Sequence, residues 1–552
     1  MPRSTVKQRS SRKTQPKEAA SRPKAKRAAN QSFRLTYATM FDPPAHLHDQ
    51  FEKALTSVKN SLGQAYPMWI GGKERNAVER FEDRTPIDTT CILGTFPKGT
   101  AQDAADALAA ARAAFPAWGR TRWQDRVRLL RKAVALIEKR VYEISAALAL
   151  EVGKNRMEAL GDVQEAADLI AYYCDAMERN GGFFRPMARD PLKGYRATNT
   201  SVLRPPGVWV VISPFNFPVA LSGGPAGAAL VAGNTVVLKP ASDTPWAGAL
   251  LARCFIDAGL PDGVFNFVTG PGGTLGEALI GSPQVDGITF TGSYDVGMRI
   301  YRTFAAGKYP RPCIAEMGGK NPAIVSRRAD LDQAATGILR SAFGLQGQKC
   351  SACSRIFVEQ PAKDTLVQKL VDLTGKIAVG DPTRRENWMG PVINRKAYDD
   401  FKSYVEELGR AGTILSGGKQ LVEGELSRGF FCAPTLVDGV SADHRLWKHE
   451  MFLPIVMLTA VDSLEEAMRR ANDVDYGLTG GFYGSKKEAD WFFDHIQVGV
   501  AYANRPQGAT TGAWPGYQPF GGWKASGSSG KNGGGLYYLQ LYMHEQSRTL
   551  IE

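Results

Sequence analysis

Cysteine is scarce in this chain: seven among 552 residues, an odd number. That is too few for a disulfide framework and points to free thiols in a reducing compartment. Histidine is scarcer still, at six, and no HExxH occurs. The one CxxC, Cys350 and Cys353, has no second pair to complete a zinc set. No metal is expected, while an oxidisable Cys350–Cys353 pair stays open. No apolar run of about 18 residues appears, so no membrane-spanning helix is expected. Neither a Walker A sequence nor G-x-G-x-x-G is present, so glycine spacing alone gives only a weak nucleotide signal. No internal repeat is found.

Positive charge is thin over most of the chain. The formal charge is +13, yet residues 1–30 hold ten Lys or Arg against one acid, Glu18. The rest is nearly balanced. The tail, taken as residues 1–31, has Pro2, Pro16 and Pro23, and residues 1–30 contain no Leu, Ile or Phe. It cannot bury a core and is expected to be disordered. It lacks the apolar segment of a secretory signal, and its prolines count against a mitochondrial presequence. A solvated tail is the expectation. Nucleic-acid tethering through it is the rival from another functional class.

What the chain does have is an α/β pattern. Composition is globular, 43% hydrophobic and 22% charged, and the length suits two or three domains. Leu47, Phe51, Leu55, Val58 and Leu62 fall at helical spacing. Val127, Leu130, Val134, Ile137, Val141, Ile144 and Leu148 step by three and four, which predicts one long core-facing helix, continued from Glu151 to Cys174. Residues 194–203 alternate, as in a hairpin. From Gly207 onward, strand, turn and helix repeat. Val208–Ile212, Thr235–Lys239, Val264–Val268 and Gly287–Thr291 read as strands with glycine- or proline-rich turns at their carboxyl ends. That is the doubly wound α/β signature, with turns suited to a dinucleotide pyrophosphate, Gly270 among them. A second α/β region follows from about residue 314 to 502. Residues 535–542 read as a terminal strand in need of a partner.

The stretch FGLQGQKCSACSR, residues 343–355, places Cys350 between a predicted helix and a predicted strand. Gly344, Gly347, Gln348 and Lys349 read as a polar approach to it. A cysteine so held has the fixed geometry a nucleophile needs. A buried, inert cysteine fits the stretch equally well.

Seven motifs in order carry a resemblance. PFNFP at 214–218, KPA at 239–241, FTGS at 290–293, EMGGKNP at 316–322, GQKC at 347–350, EMFLP at 450–454 and PFGG at 519–522 are similar to those of the aldehyde dehydrogenase superfamily, over about residues 65–545. Within it, QGQKCSA and TGAWPGYQPFGGWKASG, 511–527, resemble the Δ1-pyrroline-5-carboxylate (L-glutamate-γ-semialdehyde) dehydrogenases. The resemblance implies a Rossmann-type cofactor domain from 32–189 and 205–313, and a catalytic domain from 314–504. It assigns 190–204 and 505–552 to an oligomerisation hairpin and C-terminal strand, hence a homodimer or higher oligomer. Cys350 would be the nucleophile, forming a thiohemiacetal and then a thioester. Asn216 would be the oxyanion donor with the Cys350 N–H, and Glu316 the hydrolytic base, swinging on Met317-Gly318-Gly319. NAD would lie against Ser213, Pro214, Phe215, Ser242 and Gly270. Lys239 and Glu450 would bond its riboses, Phe452 would pack beside the nicotinamide ribose, and Gly292 and Ser293 would meet the pyrophosphate. Many NAD-preferring relatives have glutamate where Ser242 stands, so NADP remains admissible. Phe217, Ser351, Gly512, Ala513 and Phe520 would hold the substrate. The function so implied is oxidation of L-glutamate γ-semialdehyde to L-glutamate, in proline catabolism. The alternative is another semialdehyde or an aliphatic aldehyde. The implied setting is a bacterial cytoplasm, or else a mitochondrial matrix.

Overall fold

The apolar run Val208–Ile212 is the strand around which the first sheet is laid. Its neighbours are Thr235–Lys239 on one side and Gly287–Thr291 on the other, both parallel to it. Phe265–Phe267 extends the sheet beyond Thr235–Lys239, and Cys313–Glu316 extends it beyond Gly287–Thr291. The strand order therefore reverses at Val208–Ile212, and loops part there to leave a crevice at the carboxyl ends. An antiparallel pair, Met68–Ile70 and Lys73–Arg75, completes seven strands. Both faces are covered, which explains the unbroken apolar run. Trp209 and Val211 pack against the helices Ala220–Ala232 and Arg156–Arg179, whereas Val208 and Val210 pack against Ala101–Trp118.

The second sheet also has seven strands. In order they are Thr413–Ser416, Thr435–Asp438, Ile455–Val461, Cys353–Glu359, Asn321–Val325, Thr479–Tyr483 and Val500–Ala503, and only the first is antiparallel to its neighbour. The chain crosses from the first sheet to the second between Glu316 and Asn321. The motif EMGGKNP is that crossing. The structure, a computed structural model, describes residues 44–191, 193–508 and 514–552. The basic tail and the Gly512–Ala513 anchor lie outside the described residues.

Three expectations about elements change. The long helix is broken twice, giving Trp123–Lys139, Val141–Val152 and Arg156–Arg179. Arg140 leaves helical geometry, and Gly153 turns left-handed at φ 78. Asn155 then caps the third helix by accepting from the Met157 and Glu158 N–H groups. Periodicity could not show the breaks, because Val127, Leu130, Ile137, Val141, Ile144 and Leu148 stay in one core across the first of them. Residues 535–542 are not a strand. Tyr538, Leu539 and Tyr542 bury together through a single tight turn, and the strand is His544–Ile551. The hairpin expected at 194–203 begins earlier: the strand Ala197–Arg204 is its second arm, paired antiparallel with Phe184–Pro186, and it pairs on its other side with His544–Ile551.

Candidate active site

Cys350 sits on a loop tied down on every side. Helix Leu331–Phe343 ends at Gly344, and Leu345 and Gln346 then take φ of 49 and 56, unusual for residues with side chains. Gln346 donates to the Gly153 carbonyl, and Gln348 accepts from the Ile393 N–H. Lys349 makes a buried 2.9 Å ion pair with Glu158. Past the thiol, the Asn321 amide donates to the carbonyls of Cys350, at 2.7 Å, and Ala352, at 2.9 Å. The expected polar approach is therefore an anchor: Gly344, Gly347, Gln348 and Lys349 are all buried. A loop held by this many bonds gives the sulfur one position.

Two carboxylates flank that sulfur. Glu316 ends the edge strand Cys313–Glu316 and Glu450 precedes Ile455–Val461, so each sheet supplies one. Burial pushes Glu316 up to about 8. Glu450 rises to about 7 by burial, opposed by a 2.8 Å bond from the Gly319 N–H. Burial, with the negative charges of Glu450 and Glu316, pushes the Cys350 thiol up to about 12. The backbone N–H groups of Ser351 and Cys350 oppose that rise by turning to the sulfur. Gly318 and Gly319, expected as a swivel for Glu316, have a packing reason to be glycine. A Cβ on Gly318 would strike the Glu450 carboxylate, and one on Gly319 would strike the Cys350 carbonyl.

Asn216 leaves the central strand in the loop Ser213–Pro218 and is buried. Its amide donates to the Gln348 carbonyl at 3.0 Å, two residues before Cys350. One amide hydrogen is thus committed, and the second is left for a developing oxyanion. A cavity joins Cys350, Glu316, Phe217 and Phe520. Ser351 is buried but does not line it; its carbonyl accepts from the Thr479 hydroxyl. Cys353 is buried with its thiol donating to the Arg355 carbonyl, and both cysteines of the CxxC are free.

The residues expected to hold NAD gather at the carboxyl ends of the first sheet. Ser213, Pro214 and Phe215 follow Val208–Ile212, and Lys239 ends Thr235–Lys239 with Ser242 just beyond. Gly270 follows Phe265–Phe267, while Gly292 and Ser293 follow Gly287–Thr291 and open the helix Tyr294–Ala305. Lys239 tests the fit. Its ammonium is buried and spends one hydrogen, on the Pro240 carbonyl at 3.1 Å. Burial lowers it to about 8. The donors left over suit a ribose diol. Gly270 has φ 152, and a Cβ there would press on the Gly99 backbone, so only glycine lets the chain close in. Ser293 leaves the N–H groups of the following helix without a side-chain cap, as a pyrophosphate site requires. Phe452 has φ 57 and meets Phe215 edge-on, with ring centroids 5.8 Å apart, joining the two halves of the crevice. These residues fit a dinucleotide.

Sequence reasoning missed part of the cavity wall. Glu165 and Tyr173, on helix Arg156–Arg179, line it, as do Leu478, Gly533 and Tyr538. Glu165 is only 4% exposed, so it brings a buried carboxylate into an otherwise largely apolar wall. The available signal was its position in an otherwise core-facing helix.

Residues 73–547 match the family model described as Aldehyde dehydrogenase family. A 1-pyrroline-5-carboxylate dehydrogenase of Geobacillus sp. (strain WCH70) is 39% identical over 509 residues, covering 91% of this chain and 96% of that protein. A solved 1-pyrroline-5-carboxylate dehydrogenase from Thermus with bound NAD aligns with a TM-score of 0.87 at 36% identity, covering 92% of this chain and 97% of that one. The betaine aldehyde dehydrogenase of Staphylococcus aureus in complex with NAD+ aligns with a TM-score of 0.83 at 26% identity, covering 91% and 97%.

Proposed function

As the chain belongs to the aldehyde dehydrogenase family, we propose that it oxidises L-glutamate γ-semialdehyde, the open form of Δ1-pyrroline-5-carboxylate, to L-glutamate with NAD. The observation that carries the substrate is the cavity itself. Cys350 stands in its wall with the buried carboxylate of Glu165, and Phe217 and Phe520 supply apolar surface. That suits an aldehyde joined through a short apolar stem to an ammonium group. The Ser351 and Gly512–Ala513 assignments for the substrate carboxylate rest on the sequence resemblance.

The chemistry follows from the residues. The thiol begins protonated, since burial holds it high. Once its proton passes to solvent water, the backbone N–H groups of Ser351 and Cys350 steady the thiolate, and sulfur bonds to the aldehyde carbon as the carbonyl π bond opens onto oxygen. Asn216 and the Cys350 N–H meet the oxygen as its charge grows. Lys239, Glu450, Phe452 and the strand-end turns would hold NAD, which would supply the acceptor for the hydride of this carbon. A thioester on Cys350 remains. Glu316, once ionised, takes a proton from water, the hydroxide adds to the thioester, and the carbon–sulfur bond breaks to release the acid.

Assembly and setting belong to the same proposal. All eight residues of His544–Ile551 are exposed, including Leu550 and Ile551. An open edge with apolar side chains fits pairing with a second copy, so a homo-oligomer is expected. A bacterial cytoplasm is the setting we infer, in line with the bacterial relatives. Among the described residues, no helix is long and apolar enough to cross a membrane. The deciding test compares kcat/KM for glutamate semialdehyde, succinic semialdehyde and an aliphatic aldehyde, each with NAD and NADP. Preference for glutamate semialdehyde is expected. Equal values for all three would leave an aldehyde dehydrogenase with a different substrate.

A further inference from the structure

Four buried side chains form one hydrogen-bonded chain that ends in the substrate cavity. Trp209 donates its indole N–H to Thr289 Oγ1 at 3.0 Å. Thr289 lies 3.0 Å from the Tyr542 hydroxyl. Tyr542 donates to the Tyr538 hydroxyl at 3.2 Å. Tyr538 lines the cavity with Cys350 and Glu316. Trp209 and Thr289 belong to adjacent strands of the first sheet, and the two tyrosines come from the turn that precedes the last strand.

The chain has a direction. An indole N–H can only donate, so Trp209 fixes the deep end. A phenol has one hydrogen, and Tyr542 spends it on Tyr538. Tyr542 must therefore accept from Thr289, whose oxygen in turn accepts from Trp209. Every hydroxyl passes its hydrogen toward the cavity. The Tyr538 hydrogen is the one left over, with no acceptor among the described residues. Glu316 is its natural complement. The Glu316 carboxylate also has no hydrogen-bond partner among the described residues, and its charge is felt at Tyr173, Tyr538 and Tyr542.

We propose that Tyr538 is a positioning residue for Glu316, its hydroxyl donating to one carboxylate oxygen while the other takes the proton of the hydrolytic water. This rests on the reading of Glu316 as the base. Tyr538 keeps its own proton throughout. Water gives one proton to Glu316, its oxygen bonds to the thioester carbon, and Cys350 departs as thiolate. The ionisable groups around Glu316 are Glu165 and Tyr173 from helix Arg156–Arg179, Cys350 and Glu450 from the second sheet's loops, and Tyr538 with Tyr542. Tyr173 accepts from the Gly534 N–H at 3.0 Å, whereas the Tyr538 hydroxyl stands at the end of a relay of side chains. Donation to a carboxylate favours its ionised form. In the hydrolytic pose Glu316 is thus held below its resting value of about 8.

The test is rapid-mix kinetics of the full-length enzyme with glutamate semialdehyde and NAD, across pH. Tyr538→Phe is expected to keep the rate and amplitude of the NADH burst. Its subsequent turnover at neutral pH should fall about tenfold, with the acid limb of hydrolysis moving up by about one pH unit. Tyr542→Phe, which frees Tyr538 to turn, should move the limb the same way by less, and it carries the test if Tyr538→Phe does not fold. Glu316→Gln is run beside them. Should Glu316→Gln turn over normally, the base reading fails. Should it stall while Tyr538→Phe and Tyr542→Phe leave the acid limb in place, the tyrosine proposal alone is overturned. Equal loss of burst and turnover in Tyr538→Phe, or a shift from Tyr173→Phe with none from Tyr538→Phe, would overturn it as well.

Discussion

The two sides of Cys350 are built on different plans. The cofactor side is made of strand ends. Ser213, Lys239, Gly270 and Gly292 each follow or end one of four adjacent parallel strands, and backbone does much of the work. The substrate side is a wall of side chains from distant segments: Glu165 and Tyr173 on one helix, Phe217 on a loop, and Phe520 and Tyr538 near the C-terminus. The flanking carboxylates share the contrast. Glu450 is fixed by the Gly319 N–H, whereas Glu316 keeps a carboxylate with no hydrogen bond among the described residues. A fixed acid suits a binding role, and an unattached one suits a group that must move and titrate. The cofactor side holds, and the substrate side acts.

The largest effect expected tests that division at its centre. Cys350→Ala should yield no NADH, even in a single turnover. Glu316→Gln should yield one NADH per site and then stall at the thioester, because only the later step needs the base. In the wild type, hydrolysis should lose rate as pH falls. A carboxylate raised by burial is protonated, and useless as a base, below its pKa, which for resting Glu316 is about 8. Glu316→Gln should show no such limb. A normal burst and turnover from Cys350→Ala would end the mechanism.

That same division decided what could be read in the sequence. Motifs at strand ends are contiguous, since one turn brings its own residues together, so PFNFP and FTGS already placed the crevice. Cys350, Glu316 and Asn216 stood out as candidates for the same reason. Glu165 and Tyr538 did not. Each lies far along the chain from Cys350, Glu165 inside a core-facing helix and Tyr538 in a stretch that reads as a terminal strand. The breaks at Arg140 and Gly153 were hidden because the apolar stripe resumes in phase. The tyrosine turn was mistaken for a strand because Tyr, Leu and Gln mixtures suit either period, and only i, i+4 burial of Tyr538 and Tyr542 decides between them.

Next in size is the proposed oxyanion donor, which belongs to both sides. Asn216→Ala removes one preorganised N–H and frees the Gln348 carbonyl that it bonds. A loss on the order of 100- to 1000-fold in kcat is expected, with cofactor affinity little changed. A drop confined to KM would mean that Asn216 only shapes the loop. Smaller again is the proposed substrate anchor. Glu165→Gln should cost about 1–3 kcal/mol in kcat/KM for glutamate semialdehyde, the scale of a hydrogen bond to a charged group. An aliphatic aldehyde has no ammonium to lose and should be spared. Ser351→Ala is the companion measurement, since Ser351 lies outside the cavity lining. If it costs as much as Glu165→Gln, the loop carries the anchor as well as the helix.

The smallest effect concerns the cofactor side alone. Ser242 is exposed, with its hydroxyl 3.4 Å from the Gly270 carbonyl, at the end of the strand that supplies Lys239. A ribose held by Lys239 would bring its 2′ position near, and a serine there offers no charge to oppose a phosphate. Ser242→Glu introduces one. Two unit charges about 4 Å apart in water repel by about 1 kcal/mol, and a phosphate carries nearly two charges. NADP use should therefore fall roughly tenfold in kcat/KM. NAD, with a hydroxyl at that position, should be unaffected or slightly better held. The difference should widen at low salt and shrink as salt rises, because exposed charges are screened over about 10 Å at 0.1 M. Equal loss with both cofactors would place residue 242 at the backbone turn rather than at the ribose. No loss with NADP, at any salt, would put the 2′ position elsewhere in the crevice.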